Sequence, residues 1–377
     1  MATDRTPFVD LPAALVEDIL GQATSTGDLL IDNFRGLKND REIYRQRLKE
    51  KDLILHESSL GYPPLPTTCG TDGSYAIERL LFADLTAAAA VAVEGLTPPS
   101  EKRHWDQPHH LAFVQVEPHH NDTSTVLRAV MLGKELILAT SAPHDLVLLD
   151  QTFTLPIIYF NQALNQAPEC PDLRCSQEFI EHNLEYLEAY RSILRPQRSD
   201  KHYLGLPKYS SLREIGRIIQ SPEAHDDRGL LTFLLQPGEL TRPMRLQQPK
   251  QPWHLPRNLQ EQAGSLVSEI IDGLGDIFIF YYKPHEWLPA LRIETAKEVA
   301  LNPHRLAVVV QGIKHQCAVP SILEPYPLYL ADRTVKALVR AVPTFRQVAT
   351  QRLSERYEGD IGEVFFAMHG YRSESGR

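Results

Sequence analysis

Apolar positions change their period several times along the chain, and the changes predict its elements. Leu11, Leu15, Ile19 and Leu20 fall at helical spacing within Leu11–Gln22, and Asn33–Lys51 continues as a charged helix. The proline-rich stretch Gly61–Pro66 reads as a linker into the core. From Thr67 the period shortens. Thr67–Asp72, Tyr75–Phe82 and Leu85–Val93 read as three short strands, with Gly73 and Ser74 at the first bend. Leu111–Glu117 is a further strand or an insertion. Asp122 or Thr123 caps a helix to about Ala139, and the apolar run Leu146–Leu149 reads as a buried strand closed by Asp150.

Beyond Asp150 the pattern is more broken. Cys170–Leu194 reads as one or two helices, Leu204–Lys208 as a short strand into a loop, and Ser210–Ile219 and Asp226–Leu235 as helices. Gln236–Gln262 reads as loop. Asp276–Lys283 and Leu291–Glu294 read as a strand pair, followed by helices at about His304–Cys317, Leu328–Ala341 and Phe345–Arg356. Three strands joined by short turns, then helix, strand and helix, is the order of a ribonuclease-H-like domain, with antiparallel strands first and parallel ones later. The expected fold class is therefore α/β: a ribonuclease-H-like mixed sheet flanked by helices, with N-terminal helices and helical insertions. The expected division is an N-terminal helical segment and linker over 1–66, a core domain over 67–360 and a C-terminal tail over 361–377.

Composition narrows the function classes. The 377 residues suffice for one large domain or two ordinary ones, and 42% hydrophobic with 23% charged residues is ordinary for a soluble globular protein. No apolar run approaches the roughly 18 residues of a membrane span. The first residues lack a basic-then-apolar leader, which predicts a cytoplasmic protein. Four cysteines are too few for a disulfide scaffold; Cys170 and Cys175 could make half a zinc site, but no second pair answers them. The net charge of −9 argues against a nonspecific coat on nucleic acid but not against a nuclease. Arg333, Lys336, Arg340, Arg346, Arg352 and Arg356 form either a local basic patch or a solvated helix face.

The candidate chemistry lies with the acids. Asp72, in Thr71-Asp-Gly-Ser74, and Asp150 close strands, Glu135 lies on the helix before the Asp150 strand, and Asp332 lies near a helix start. Carboxylates on separate elements are ligands for a hard cation, Mn²⁺ or Mg²⁺, which activates water for phosphodiester cleavage. Any one of these acids taken singly reads better as a cap or surface residue. Lys208 is a point charge able to meet a scissile phosphate, or a plain surface lysine. Arg292 reaches either substrate or a core acid. His104, His109, His110, His119, His120 and His144 crowd one region, where a histidine metal site competes with exposed loop; no His-Glu-x-x-His pattern occurs. The phosphate loop of P-loop enzymes and the Gly-x-Ser-x-Gly nucleophile turn are absent, and Gly273-Leu-Gly275 is too short for a dinucleotide motif.

Taken together, several pieces resemble the NurA nuclease family. They are Thr71-Asp-Gly-Ser74, Gly133-Lys-Glu135 ahead of Leu146–Asp150, Leu206-Pro-Lys208, Tyr282-Lys with Leu291–Glu294, and Pro325–Asp332, spread over roughly 67–340. The resemblance implies a ribonuclease-H-like core, a homodimer and Mn²⁺-dependent DNA cleavage, both 5′-to-3′ exonuclease and single-strand endonuclease. It also implies a HerA-type hexameric translocating ATPase as partner in DNA end resection. By position Asp72, Glu135 and Asp150 match the family's metal-binding acids. The chain departs from the pattern near its end, where Glu324 and Asp332 stand in place of a tyrosine and a histidine, and after Asp150, where Gln151-Thr152 replaces Gly-Ser. Asp332 either takes the histidine's place as a ligand, giving a four-acid site, or marks an altered, weak site. The rival functions are a non-catalytic partner regulating a ring ATPase and a nuclease acting on RNA.

Overall fold

A computed structural model describes residues 11–210, 212–223 and 225–376. The two expected N-terminal helices are one, α1 (Ala13–Glu50). Gly27, between the two periodic stretches, has no atom within 4 Å of where a side chain would sit, so nothing packs there to turn the chain and the intrahelical bonding carries on. Among the described residues, the buried side chains of α1 lie in its later part. Leu37, Tyr44 and Leu48 are buried, and Arg45 donates to both carboxylate oxygens of Glu239 at 2.6 and 2.8 Å. Leu15, Ile19, Leu20, Leu29 and Leu30 remain exposed.

The chain then forms β1 (Ile54–His56), β2 (Thr68–Leu80), β3 (Asp84–Glu94), β4 (His109–Glu117), α2 (Thr123–Ser141) and β5 (Leu146–Leu149). Next come α3 (Leu155–Gln166), α4 (Arg174–Leu194), β6 (His202–Gly205), α5 (Glu214–Ile218), α6 (Asp227–Leu234), β7 (Glu239–Thr241) and β8 (Met244–Arg245). The last elements are α7 (Arg257–Gly275), β9 (Ile277–Tyr282), β10 (Leu291–Ala296), α8 (Lys297–Ala300), α9 (Pro303–Gln316), α10 (Tyr326–Arg356), α11 (Ile361–Ala367) and β11 (Gly370–Gly376).

All strands join one mixed sheet in the order β1-β7-β9-β10-β6-β5-β2-β3-β4, with β11 added to β2 and β8 to β9. β2, β3 and β4 form an antiparallel meander, in which the first two of the three expected strands are the single β2, the third is β3, and the stretch left open between strand and insertion supplies β4; β5 and β6 run parallel to β2. Helices cover both faces. Val147 and Leu149 of β5 join the core made with α2, α3, α4 and α7, while Leu146 and Leu148 join the core made with α9 and Leu328 of α10. A strand buried on both faces needs apolar residues at every position, which is why Leu146–Leu149 is a continuous run.

Two expected breaks are continuous. The strands expected on either side of Gly73 are a single 13-residue β2, so Asp72 is not at a strand tip. Gly73 serves close packing instead of a bend: a Cβ there would lie 2.9 Å from Met131 Cγ of α2. Gly70 does the same on the other face, where a Cβ would lie 2.8 Å from the Leu328 backbone nitrogen of α10. The two helices expected over 328–356 are one, and α10 runs through Pro343. A proline inside a helix costs about 3 kcal/mol. Val342 before it is buried against β2 and β3, and Phe345 after it packs on the same cluster, so the helix continues past it. α3 and α7 arise where no helix was expected. β11, in the stretch expected as a tail, returns to pair antiparallel with β2. Among the described residues no helix is long and apolar enough to cross a membrane.

Candidate metal centre

Strand pairing positions the acids. On one edge, β2 pairs with β5 as far as Thr71↔Leu149, and with β11 from Tyr75↔Gly376 onward. Asp72 is the first residue past the β5 pairing, and Asp150 is the first residue past β5 itself. The Asp150 backbone nitrogen donates to Thr71 O at 3.3 Å, so the two acids leave the ladder side by side. Alternation puts both on the face that Gly70 and Leu148 share, toward α10. There Asp332 comes down from α10. One carboxylate oxygen each from Asp72, Asp150 and Asp332 lies within 4.8 Å of the others. Asp72 and Asp332 are buried, and Gly73 N donates to Asp72 Oδ1 at 2.9 Å.

Lys208 completes the cluster. It follows β6, and its Nζ lies 2.8 Å from Asp150 Oδ2, 2.9 Å from Glu324 Oε2 and 3.4 Å from Asp332 Oδ1. Lys336, one turn on from Asp332, reaches its other oxygen at 2.9 Å. Arg228 donates to the Lys208 carbonyl and, from Nε, to Ala290 O at 3.2 Å, which holds the lysine's backbone in place. Burial pushes the Arg228 pKa down, while the carboxylates of Asp226, Glu324 and Asp150 pull it the other way. No pattern in the sequence marks Arg228, because its partners are backbone carbonyls far along the chain.

Glu135 lies outside this group. It is buried on α2, with Oε1 3.5 Å from Thr71 Oγ1 and Oε2 3.4 Å from where a Gly73 Cβ would sit. It thus approaches β2 from the α2 side, opposite to the side chain of Asp72. Arg292 faces core acids: it donates to Glu214 at 3.0 and 3.2 Å, to Glu294 at 3.2 Å and to the Tyr281 hydroxyl at 2.8 Å. Burial alone would lower its pKa, but Glu294, Tyr281 and Glu214 outweigh burial and raise it.

The histidines divide among separate settings. His144 is fully buried beside Glu94 at 3.5 Å, and burial lowers its pKa to about 4. His104 and Trp105 pack on its ring, and Trp105 stacks on His109 at 4.3 Å. His119 pairs with Asp84 at 2.7 Å, and His120 meets Cys170. In the basic C-terminal stretch, Arg346 pairs with Glu78 at 2.5 Å and Arg352 with Glu355 at 3.2 Å.

No family model and no curated protein matches the sequence. Solved structures do. The NurA nuclease from Sulfolobus solfataricus is 13% identical, with a TM-score of 0.56 over 89% of this chain and 98% of that one. A NurA bound to dAMP and manganese is 13% identical, with a TM-score of 0.55 over 83% of this chain and 93% of that one. A NurA with manganese is 13% identical, with a TM-score of 0.55 over 89% of this chain and 99% of that one. At this identity the likeness establishes architecture. The chain has a NurA-like fold, shared over most of its length.

Proposed function

We propose that this protein is a metal-dependent deoxyribonuclease. The observation that carries the reading is the meeting of Asp72, Asp150 and Asp332, each offering an oxygen within 4.8 Å of the others, on a fold similar to a NurA bound to dAMP and manganese. All three donors are hard carboxylate oxygens, the set that suits Mn²⁺ or Mg²⁺. A bound cation would activate water and stabilise the leaving oxygen of a phosphodiester. Asp72 and Asp150 would hold it from adjacent strands and Asp332 from α10, with Glu135 as a further acid from the α2 side. Lys208 would turn from the carboxylates to a substrate phosphate as a point charge. The reach of Asp332 to the same place as Asp72 favours this over the reading of a non-catalytic regulator of a ring ATPase.

In this reading the enzyme is cytoplasmic and acts as a 5′-to-3′ exonuclease and single-strand endonuclease in DNA end processing and repair. Its partner is a HerA-type hexameric translocase, and its working form is a homodimer. The exposed apolar side chains of α1, with Phe365 and Phe366 of α11, are surface that such assemblies would cover. The test uses single- and double-stranded DNA labelled at either end, and RNA of the same sequence, with Mn²⁺, Mg²⁺ or EDTA. Cleavage of DNA is expected only with metal and is expected to vanish in Asp72→Ala and Asp150→Ala proteins that keep the fold. Full activity in either variant would sink the assignment. Absence of cleavage in every metal, with the translocase added, would favour the regulatory role.

A further inference from the structure

Lys208 is shared between two kinds of carboxylate. Asp150 and Asp332 belong to the group whose oxygens lie within 4.8 Å of one another, whereas Glu324 stands outside it. The Nζ distances are nonetheless similar, 2.8 Å to Asp150 Oδ2 and 2.9 Å to Glu324 Oε2, against 3.4 Å to Asp332 Oδ1. The ammonium therefore bridges a candidate ligand of the cation and a carboxylate without that task.

Both ends of this contact are held at the backbone. Arg228 donates to the Lys208 carbonyl, which leaves movement of the lysine to its four-carbon stem. Glu324 is followed by Pro325, which biases its backbone toward extended conformations. The Pro325 carbonyl in turn accepts from Leu328 N and Tyr329 N at 3.1 Å, in the first turn of α10. α10 thus brings Asp332 to the metal centre and sets Glu324 beside the lysine. Lys336 makes the contrast. It also reaches Asp332, at 2.9 Å, but 56% of its side chain is exposed, so water can receive its charge. Lys208 is only 31% exposed, and an ammonium there needs a carboxylate to turn to.

We propose that Glu324 is a positioning residue that withdraws Lys208 from Asp150 and Asp332, and holds it, when those two acids engage a cation. The inference rests on the metal-dependent reading of the site. Like charges repel most where water is scarce, so Lys208 cannot keep its 2.8 Å contact with Asp150 once that carboxylate carries a divalent ion. A turn of the stem exchanges Asp150 for the second oxygen of Glu324, with no proton transferred and no covalent bond made or broken. The lysine stays beside the centre, where a phosphate can take it over. With glutamine at this position, both carboxylates left within 4 Å of the ammonium among the described residues would be metal ligands, and Lys208 would compete with the cation.

Calorimetric titration of Mn²⁺ into the full chain, as wild type, Glu324→Gln, Lys208→Met and the double variant, tests this without any cleavage. Glutamine keeps the shape of Glu324 at a partly exposed position. Glu324→Gln is expected to weaken Mn²⁺ binding about tenfold on its own, and by less than about twofold beside Lys208→Met, where there is no ammonium to withdraw. An equal loss in both backgrounds would make Glu324 a ligand or a plain charge acting on the cation, and no loss in the single variant would show that the lysine has no need of it. Either result overturns the proposal. A wild type that binds no Mn²⁺ would overturn the metal-dependent reading along with it, whereas bound Mn²⁺ with no coupling between Glu324 and Lys208 would overturn this inference alone.

Discussion

Two charged clusters of this molecule use carboxylates in opposite ways. Around Arg292, the guanidinium is fully buried and every group has an answer. Glu214 takes two of its hydrogen bonds and Tyr281 a third, and Glu294 divides its oxygens between Arg292, the Thr152 hydroxyl and Phe153 N. At the candidate metal centre, the carboxylates of Asp150, Glu324 and Asp332 surround the single ammonium of Lys208, with Asp72 beside them and Lys336 at the rim. In the first cluster one guanidinium and the neighbouring donors Thr152 and Phe153 satisfy two carboxylates by hydrogen bonds. The second carries more negative charge than its lysines balance, which is the property that attracts a divalent cation.

The comparison predicts unequal costs of mutation. Arg292→Met should cost the most, roughly 3–5 kcal/mol in denaturant unfolding, because it strands Glu214 and Glu294 in the core. A loss below about 1 kcal/mol would mean that those acids take up protons or water instead. Acid should have the next largest effect, since it places new charge at buried sites built for neutral groups. Burial lowers the pKa of His202 to about 4, with Arg305 adding to the effect, and burial lowers that of His144 to about 4 as well. The unfolded chain binds these protons near pH 6.5 and the folded chain only near pH 4, so their stability is present above about pH 6.5 and is lost as pH falls toward 4. Melting curves over that window should flatten by about 2 kcal/mol in His202→Gln; an unchanged slope would remove His202 from the account. The smallest effect falls on Lys208. Lys208→Met should tighten Mn²⁺ binding by calorimetry about tenfold, since an ammonium on Asp150 and Asp332 competes with a cation, while it slows cleavage. Weaker binding would show that the lysine instead gathers the carboxylates.

The same contrast shows where the sequence was legible. Leu146–Leu149, β3 and the β9–β10 pair follow from apolar pattern, and Asp72 and Asp150 stand out because they interrupt it. What was hidden depends on contacts remote in the chain. Gly73 looks like a bend, but it is small because α2 presses on it. Pro343 looks like a stop, but Val342 before it and Phe345 after it pack into the same cluster on β2 and β3. Asp332 carries no local mark of its nearness to Asp72, since only the packing of α10 on β2 brings them together. Arg292 showed the alternation of a strand residue, yet nothing nearby announced Glu214 as its partner.

The pairing of β2 with β11 has a consequence for how the protein is made. Tyr75 and Gly376 are register partners about 300 residues apart. While the chain is synthesised, the edge of β2 beyond Thr71 stands open until β11 follows it. An unpaired edge in a growing chain invites the wrong strand. The strand that bears Asp72 is therefore among the last to be sealed, and shortening the chain before Gly370 would expose that edge permanently and favour aggregation.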